Sequence, residues 1–300
     1  MFFDFESEIK GVGIECKVNE LLSLRSSFKI GGPASLTVFP HTKNEMIMVL
    51  DAATKYNLKF AVVGNGSNIL FDDAGYEGVI ISTIHMGAMQ ISGTAMWAEC
   101  GASFTAMALA AAKSNLTGLE FAYGIPGSCG GAVFMNAGAY GSEMSAVIRS
   151  AECYDITNKK VVYLAKDELE MSYRRSVFMD KKELIILSAT IDLKLGDRSA
   201  IHDTMMKNKQ SREEKQPLKM PNAGSIFKRH ELGAVSKMID ECGLKGYRIG
   251  GAQVSEKHAG FIVNCGGATS ADVLSLIAHI KKIIAEKYGF EPECEIRYIR

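Results

Sequence analysis

The sequence predicts an α+β protein: two successive α/β segments, each associated with a glycine-rich turn, and then a separate C-terminal α+β domain. Three observations carry this prediction. Short apolar strand patterns alternate with amphipathic helical patterns through the first two thirds of the chain. Two glycine-centred runs, Gly64–Asn68 and Gly118–Gly141, interrupt that alternation. From about Asp197 to Gln216 the texture becomes polar and free of proline, as in a solvated helix or a linker leading to a new domain. The boundaries that follow are 1–85 and 86–196 for the two α/β segments and 197–300 for the C-terminal domain.

The 300 residues give ample length for a buried core, and 47% hydrophobic with 23% charged residues is an ordinary globular composition. Lys plus Arg equals Asp plus Glu at 34 each, so no net field draws the chain to nucleic acid or to a membrane surface. No apolar run approaches the roughly twenty residues that span a bilayer. The N-terminal stretch places acids where a secretion signal carries positive charge, so the expectation is a cytoplasmic protein, monomeric and without a nucleic-acid or membrane partner. Seven cysteines, none in a C-x-x-C pair, read as small buried apolar groups. Neither a disulfide framework nor a metal site is expected.

In chain order, residues 4–26 read as a solvated helix. Phe28–Pro33 forms a turn, Ala34–Phe39 a strand, and Lys43–Tyr56 a helix with Met46, Val49, Leu50 and Ala53 on one face. Phe60–Val63 is a short buried strand running into Gly64-Asn65-Gly66-Ser67-Asn68. This order invites a dinucleotide-binding reading, but the third glycine of G-x-G-x-x-G is replaced by Ile69 and no helix follows, so that reading is disfavoured. Gly78–Ser82 and Trp97–Gly101 are strands, Ser103–Ser114 is an alanine-rich helix, and 147–154, 160–164 and 183–195 are β-like. Beyond the polar stretch, Pro221–Lys228 is a glycine-centred turn. Helices follow at 231–241 and 271–288, the second opened by a capping box of Thr269 and Asp272, with a strand at 260–264 between them. In the terminal Pro292–Ile299 segment, alternation sets Glu293, Glu295 and Arg297 on one face.

The run Gly118–Gly141 is dense in glycine around Pro126, a poor helix and a poor strand. It contains no Lys or Arg, and its one carboxylate is Glu120. Such runs are most often turns, but here apolar residues (Phe121, Ile125, Val133, Phe134, Met135) pin the loop to a core. A backbone cradle whose N–H groups face an anion such as a pyrophosphate is the favoured reading.

Taken together, GNGSN at 64–68, GIPGSCGGAVFMNAGAYG at 124–141, YRRS at 173–176, NAGSIFK at 222–228, GGAQVSEKHAGFIVN at 250–264 and the terminal PECEIRYI resemble one family, UDP-N-acetylenolpyruvoylglucosamine reductase. The resemblance covers nearly the whole chain, and the compact region after Ser176 is similar to the shorter, type II form. It implies a vanillyl-alcohol-oxidase-type (PCMH-type) FAD-binding fold of two α/β subdomains with a third domain for substrate. It also implies FAD held without a covalent bond, NADPH as hydride donor, and UDP-N-acetylglucosamine-enolpyruvate as the small-molecule substrate. By the resemblance, Gly64, Asn65, Gly66, Ser67, Asn68, Gly124, Ile125, Pro126, Gly127, Ser128, Gly131, Asn136 and Gly138 would contact the cofactor. Arg174, Ser225 and Glu295 would be catalytic, with Ser225 the proton donor. Tyr173, Lys228, Gln253, His258 and Asn264 would contact substrate.

Arg229-His230 stands where many relatives carry Asn-Pro, a departure that touches the phosphate contacts near Lys228. Cys129 reads as a packing residue. Taken singly, Arg174 reads as a surface ion-pair partner, Ser225 as a turn former, and Glu295 as an exposed strand residue. Only the ordered set gives them roles. Two other readings are a flavin-dependent sugar-alcohol oxidase of the same fold and a non-catalytic nucleotide-binding module.

Overall fold

The structure, a computed structural model, describes residues 2–300. The chain divides into two compact units, neither of them one continuous stretch. The first takes residues up to Val18 together with Leu36–Asn65 and Gly78–Gln210. The second takes Asn19–Ser35, Gly66–Glu77 and Ser211–Arg300. Two short early segments thus fold with the C-terminal part of the chain, which the consecutive boundaries at 86 and 197 do not anticipate.

In the first unit, five antiparallel strands lie in the order Lys160–Ala165, Ile148–Asp155, Leu184–Asp192, Ala95–Glu99, Met89–Ser92. Phe60–Val63 pairs in parallel with Tyr76–Ser82, setting Phe60 opposite Val79 and Val63 opposite Ser82. The helix Lys43–Lys55 buries Met46, Val49, Leu50, Ala52 and Ala53, the face expected from its periodicity, and Thr42 caps it by accepting from Glu45 N at 3.2 Å. The helix Phe104–Lys113 packs Phe104 edge-on to Phe121, ring centroids 5.8 Å apart. Glu152 is a buried carboxylate of this unit. Burial alone would raise the pKa of Glu152, but Lys43 Nζ at 2.9 Å and the hydroxyls of Tyr163 and Ser188 outweigh it and hold the group below the ordinary glutamate value.

In the second unit, four antiparallel strands lie in the order Asn222–Ser225, Phe261–Asn264, Ala252–Val254, Arg248–Ile249. Against them pack the helices Val235–Glu241 and Ser270–Tyr288, around a core that includes Phe28, Ile30, Leu70, Ile239 and Ile280. Ser270–Tyr288 buries Val273, Leu276, Ile277, Ile280 and Ile284, and its capping box forms as expected, with Thr269 accepting from Asp272 N at 3.0 Å and Asp272 accepting from Thr269 N at 3.0 Å. A second carboxylate, from Asp73, accepts from the N–H groups of Ser270 and Ala271. Two negative groups thus meet the positive end of this helix. The final strand Arg297–Ile299 runs parallel to Ile69–Phe71.

Two expectations are corrected, and one left open is resolved. Residues 4–26 are not one helix: Phe2–Gly11 is helical, but after Gly11-Val12-Gly13 the alternating Glu15–Leu21 is a strand, and Leu22–Arg25 a 3-10 turn. The polar stretch after Asp197 resolves to a helix, Arg198–Lys215, anchored by Ile201 and Met205. The run Gly118–Gly141 contains the short α-helix Cys129–Phe134 despite two glycines inside it. At Gly130 a Cβ would lie 2.9 Å from Cys100 Cβ, so close packing, not helix propensity, selects glycine there.

Candidate active site

The glycine turn after Phe60–Val63 and the loop 124–128 meet within the first unit. Asn65 Nδ2 donates to Pro126 O at 3.1 Å, and a Cβ added to Gly64 would lie 2.1 Å from Ser128 Oγ. Thr105 ties the loop further, accepting from Gly124 N and donating to Ile125 O at 3.0 Å. Ser128 Oγ caps the helix Cys129–Phe134 by accepting from Gly131 N at 3.3 Å. Among the described residues, none accepts from the backbone N–H of Asn65, Gly127 or Ser128. In the second unit the same holds for Gly66, Ser67 and Asn68, although the carbonyls of Gly66 and Asn68 are bonded to Ser27 N and Arg297 N.

Unspent donors on loops with fixed carbonyls fit an anionic group such as the pyrophosphate of FAD. The glycines are required for a different reason from the one their density suggests. Gly64 and Gly138 are small because Ser128 and Glu143 leave no room for a side chain, and at Gly66 the Arg25 carbonyl would lie 1.9 Å from a Cβ. Cys129 is fully buried, and burial pushes its thiol pKa up, so it stays protonated and packs as a small apolar group.

Tyr173 and Arg174 form the tip of a two-residue hairpin in the first unit. Ser172 and Arg175 exchange both backbone hydrogen bonds, at 3.1 and 3.0 Å, and Arg174 takes a left-handed conformation, φ 53°. The Arg174 guanidinium donates to Gly138 O at 3.0 Å and Asn136 O at 3.4 Å, and lies 4.9 Å from the Tyr173 ring centroid. Asn136 was expected at the cofactor, but its side chain is fully buried and fully used: Nδ2 donates to Glu143 Oε1 and Ser172 O, each at 2.9 Å, while Oδ1 accepts from Ser145 N. Nothing in the sequence around Asn136 or Glu143 signals this junction, because it joins the loop at Asn136 and Glu143–Ser145 to Ser172, some thirty residues further on.

Ser225 and Glu295 are brought together in the second unit. The strand Asn222–Ser225 carries a bulge, since Asn222 pairs with Val263 but Ser225 with Phe261. Gly224 supplies the φ of 78° that the bulge needs, and a Cβ there would meet nothing within 4 Å. The turn is fixed by Asn222, which accepts from Gly224 N at 2.9 Å and donates to Met220 O at 2.7 Å. Ser225 is half-buried and its hydroxyl has no protein partner among the described residues. One residue on, Ile226 O accepts from Glu295 N at 2.7 Å, so the half-buried Glu295 lies beside Ser225. Asn68 Nδ2 donates to Glu295 O at 3.1 Å, a contact between residues 227 positions apart. The expected alternation holds only in part: Ile296 is buried between Glu295 and Arg297, but Cys294 and Glu295 are both half-buried and the segment bends at Ile296.

The remaining candidates, all in the second unit, differ in what they have left to offer. Lys228 pairs with Glu293 at 2.5 Å. Gln253 is engaged at both ends, donating to Gly246 O and accepting from the Cys265 thiol. Asn264 is buried and spends its amide on Phe28 O, Gly266 N and Ala268 N, which makes it part of the frame. His258 is half-buried, stands edge-on to Phe261, and accepts from Gly260 N through Nδ1; burial pushes its pKa down and favours the neutral ring. Elsewhere, the exposed Glu15, His41 and His85 bring possible metal-ligand atoms within 4.8 Å of one another. The two imidazoles are stacked, 12° from parallel, so their lone pairs lie side by side instead of converging on one ion.

Known proteins match the chain along most of its length. Residues 34–163 match a family model described as an FAD binding domain, and residues 216–299 match the C-terminal domain of UDP-N-acetylenolpyruvoylglucosamine reductase. A reductase of that name from Clostridium perfringens (strain SM101 / Type A) is 45% identical over 282 residues, covering 94% of this chain and 92% of the relative. The crystal structure of the reductase from Thermus caldophilus superposes with a TM-score of 0.82 at 30% identity, over 96% of this chain and 99% of that one. A berberine bridge enzyme shares the fold at 14% identity, with a TM-score of 0.51 over 66% of this chain and 44% of its own.

Proposed function

The chain belongs to the UDP-N-acetylenolpyruvoylglucosamine reductase family, and we propose on that basis that it reduces UDP-N-acetylglucosamine-enolpyruvate to UDP-N-acetylmuramate for peptidoglycan synthesis. Its fold is the vanillyl-alcohol-oxidase-type FAD-binding fold with an added C-terminal domain. Bound FAD supplies the hydride carrier, reduced by NADPH and able to deliver hydride to the enolpyruvyl methylene carbon. Within the first unit, the unspent N–H groups of Asn65, Gly127 and Ser128 hold its pyrophosphate, without a covalent bond. The segments 1–85 and 86–196 make up the flavin-binding part, and 197–300 carries substrate contacts, among them Lys228 and His258.

Hydride addition leaves negative charge on the neighbouring carbon, spread into the carboxylate. Ser225 protonates that carbon. A hydroxyl is a weak acid, but a carbanion-like acceptor is a strong enough base to take its proton. The observation that carries the assignment is a hydroxyl with no protein partner, aimed by a glycine bulge and held one residue from the Glu295 main chain. Arg174 supplies positive charge for the carboxylate, and Glu295 shares in placing charge and protons beside Ser225. The protein acts as a monomer in the cytoplasm, where NADPH and nucleotide sugars are made. Among its described residues, no helix is long and apolar enough to cross a membrane.

The test is the visible spectrum of the purified protein, recorded again after NADPH and then after the enolpyruvyl substrate. A flavin spectrum that bleaches with NADPH and returns with substrate in the absence of oxygen is the expected result. A colourless protein that takes up no FAD would leave a nucleotide-binding module, and oxygen-dependent turnover of a sugar alcohol without NADPH would leave an oxidase.

A further inference from the structure

We propose that Asn136 is a positioning residue for Arg174, holding the arginine-bearing hairpin to the glycine loop by both its base and its tip. This rests on the reading that Arg174 acts on the substrate. The base is held by Asn136 Nδ2, which donates to Ser172 O at 2.9 Å. The tip is held through the loop backbone, where the carbonyls of Asn136 and Gly138 accept from the two terminal nitrogens of Arg174. A third tie follows directly, Ser176 Oγ donating to Phe134 O at 2.6 Å. The five residues 172–176 are thereby docked on the five residues 134–138.

Asn136 suits this task for reasons of both backbone and side chain. Its φ of 44° lies in the left-handed region, which asparagine tolerates better than most residues, and this turns the chain sharply after the helix Cys129–Phe134. The orientation of its amide is fixed by its partners. Two acceptors, Glu143 Oε1 and Ser172 O, face the nitrogen, and one donor, Ser145 N, faces the oxygen. Glu143 Oε1 also accepts from Ser145 Oγ at 2.7 Å, which closes the network. A long arginine side chain has many rotamers to lose on ordering. With the hairpin docked at three points, that cost is met in the resting protein and not when substrate arrives.

Asn136→Asp is the informative variant. It keeps the size, the tolerance for left-handed backbone and the acceptor for Ser145 N, but it sets an oxygen against Glu143 Oε1 and Ser172 O. Two measurements are made. In flavin-free protein, amide exchange over residues 172–176 is expected to quicken tenfold or more. In single turnover, the rate at which substrate reoxidises the NADPH-reduced protein, expressed per bound flavin, is expected to fall tenfold or more. That loss should nearly vanish when the same change is made in an Arg174→Ala background, because a residue acting through Arg174 has nothing left to position. Unchanged exchange, an unchanged rate, or a loss that persists in full in the Arg174→Ala background would overturn the proposal. If Arg174→Ala alone reoxidises normally, the reading of Arg174 itself fails, a separate and recognisable result. Should Asn136→Asp not fold, Asn136→Gly removes the two side-chain bonds to Glu143 and Ser172, and the one from Ser145 N as well, while accepting the left-handed backbone, and is judged by the same two measurements.

Discussion

Replacing Ser225 with alanine removes one oxygen atom from a half-buried strand residue, and the structure separates what that oxygen does for folding from what it does for chemistry. For folding the loss is small. The hydroxyl has no protein partner among the described residues, the backbone pairing of Ser225 with Phe261 is untouched, and the bulge is set by Gly224 and Asn222. The expected change in stability is within about 0.5 kcal/mol, or roughly 1–2 °C in melting temperature for a chain of this size. For chemistry the loss is large. Proton donation by a positioned side chain contributes on the order of 10²–10⁴-fold, which is about 2.7–5.5 kcal/mol of barrier.

The two effects therefore differ by at least about fivefold in free energy, and the half-reactions separate them further. Stopped-flow mixing of the variant with NADPH should show flavin reduction within about twofold of the parent, because that step needs no proton from Ser225. Mixing the reduced protein with the enolpyruvyl substrate, in the absence of oxygen, should then show reoxidation slowed by at least about a hundredfold. Equal losses in both half-reactions would make Ser225 a structural or flavin-contacting residue and would remove the proton-donor assignment. So would a melting temperature lowered by more than a few degrees.

Two further predictions follow from other contacts. Gly64→Ala should lower flavin content in the purified protein, measured by absorbance, because the new methyl would lie 2.1 Å from Ser128 Oγ. Since the other neighbour, Thr83 Oγ1, is at an ordinary 3.8 Å, the double variant with Ser128→Gly should recover part of that content. His258 has a folded-state pKa pushed below the ordinary histidine value of 6.5 by burial, so the unfolded chain binds the proton more readily. Its contribution to stability is intact above about pH 6.5 and is lost as pH falls through the lower folded value, and His258→Gln should flatten that part of the curve of melting temperature against pH.

What could be read in advance follows from how far apart the relevant residues lie. The helices Lys43–Lys55 and Ser270–Tyr288 were legible because their buried faces and caps are written within a few turns of sequence. The strand Glu15–Leu21 was missed because its polar pattern mimics a solvated helix until one neighbouring strand supplies hydrogen bonds. The helix Cys129–Phe134 was missed for the opposite reason: its two glycines argue against a helix locally, and the wall that requires one of them, Cys100, lies thirty residues earlier. The same division runs through the site.

Ser225 stands in a local motif, and its bulge depends on Asn222 and Gly224 close by, so sequence alone could mark it. Its closeness to Glu295 depends on one hydrogen bond to Ile226, and the setting of Glu295 on Asn68, and no local pattern encodes either. Asparagine shows the limit most plainly. Asn136 and Asn264 sit in motifs that suggest ligand contact, yet each is buried with its amide spent on the protein. A buried amide left unpaired costs on the order of 1–3 kcal/mol, so such a residue is held to its place whether it touches ligand or only shapes the loop that does. Motif membership therefore marks where the geometry is constrained, and the hydrogen-bond partners decide whether the constraint is contact or frame. By that criterion Ser225, with an unspent hydroxyl, is a candidate for contact, whereas Asn136 and Asn264 belong to the frame.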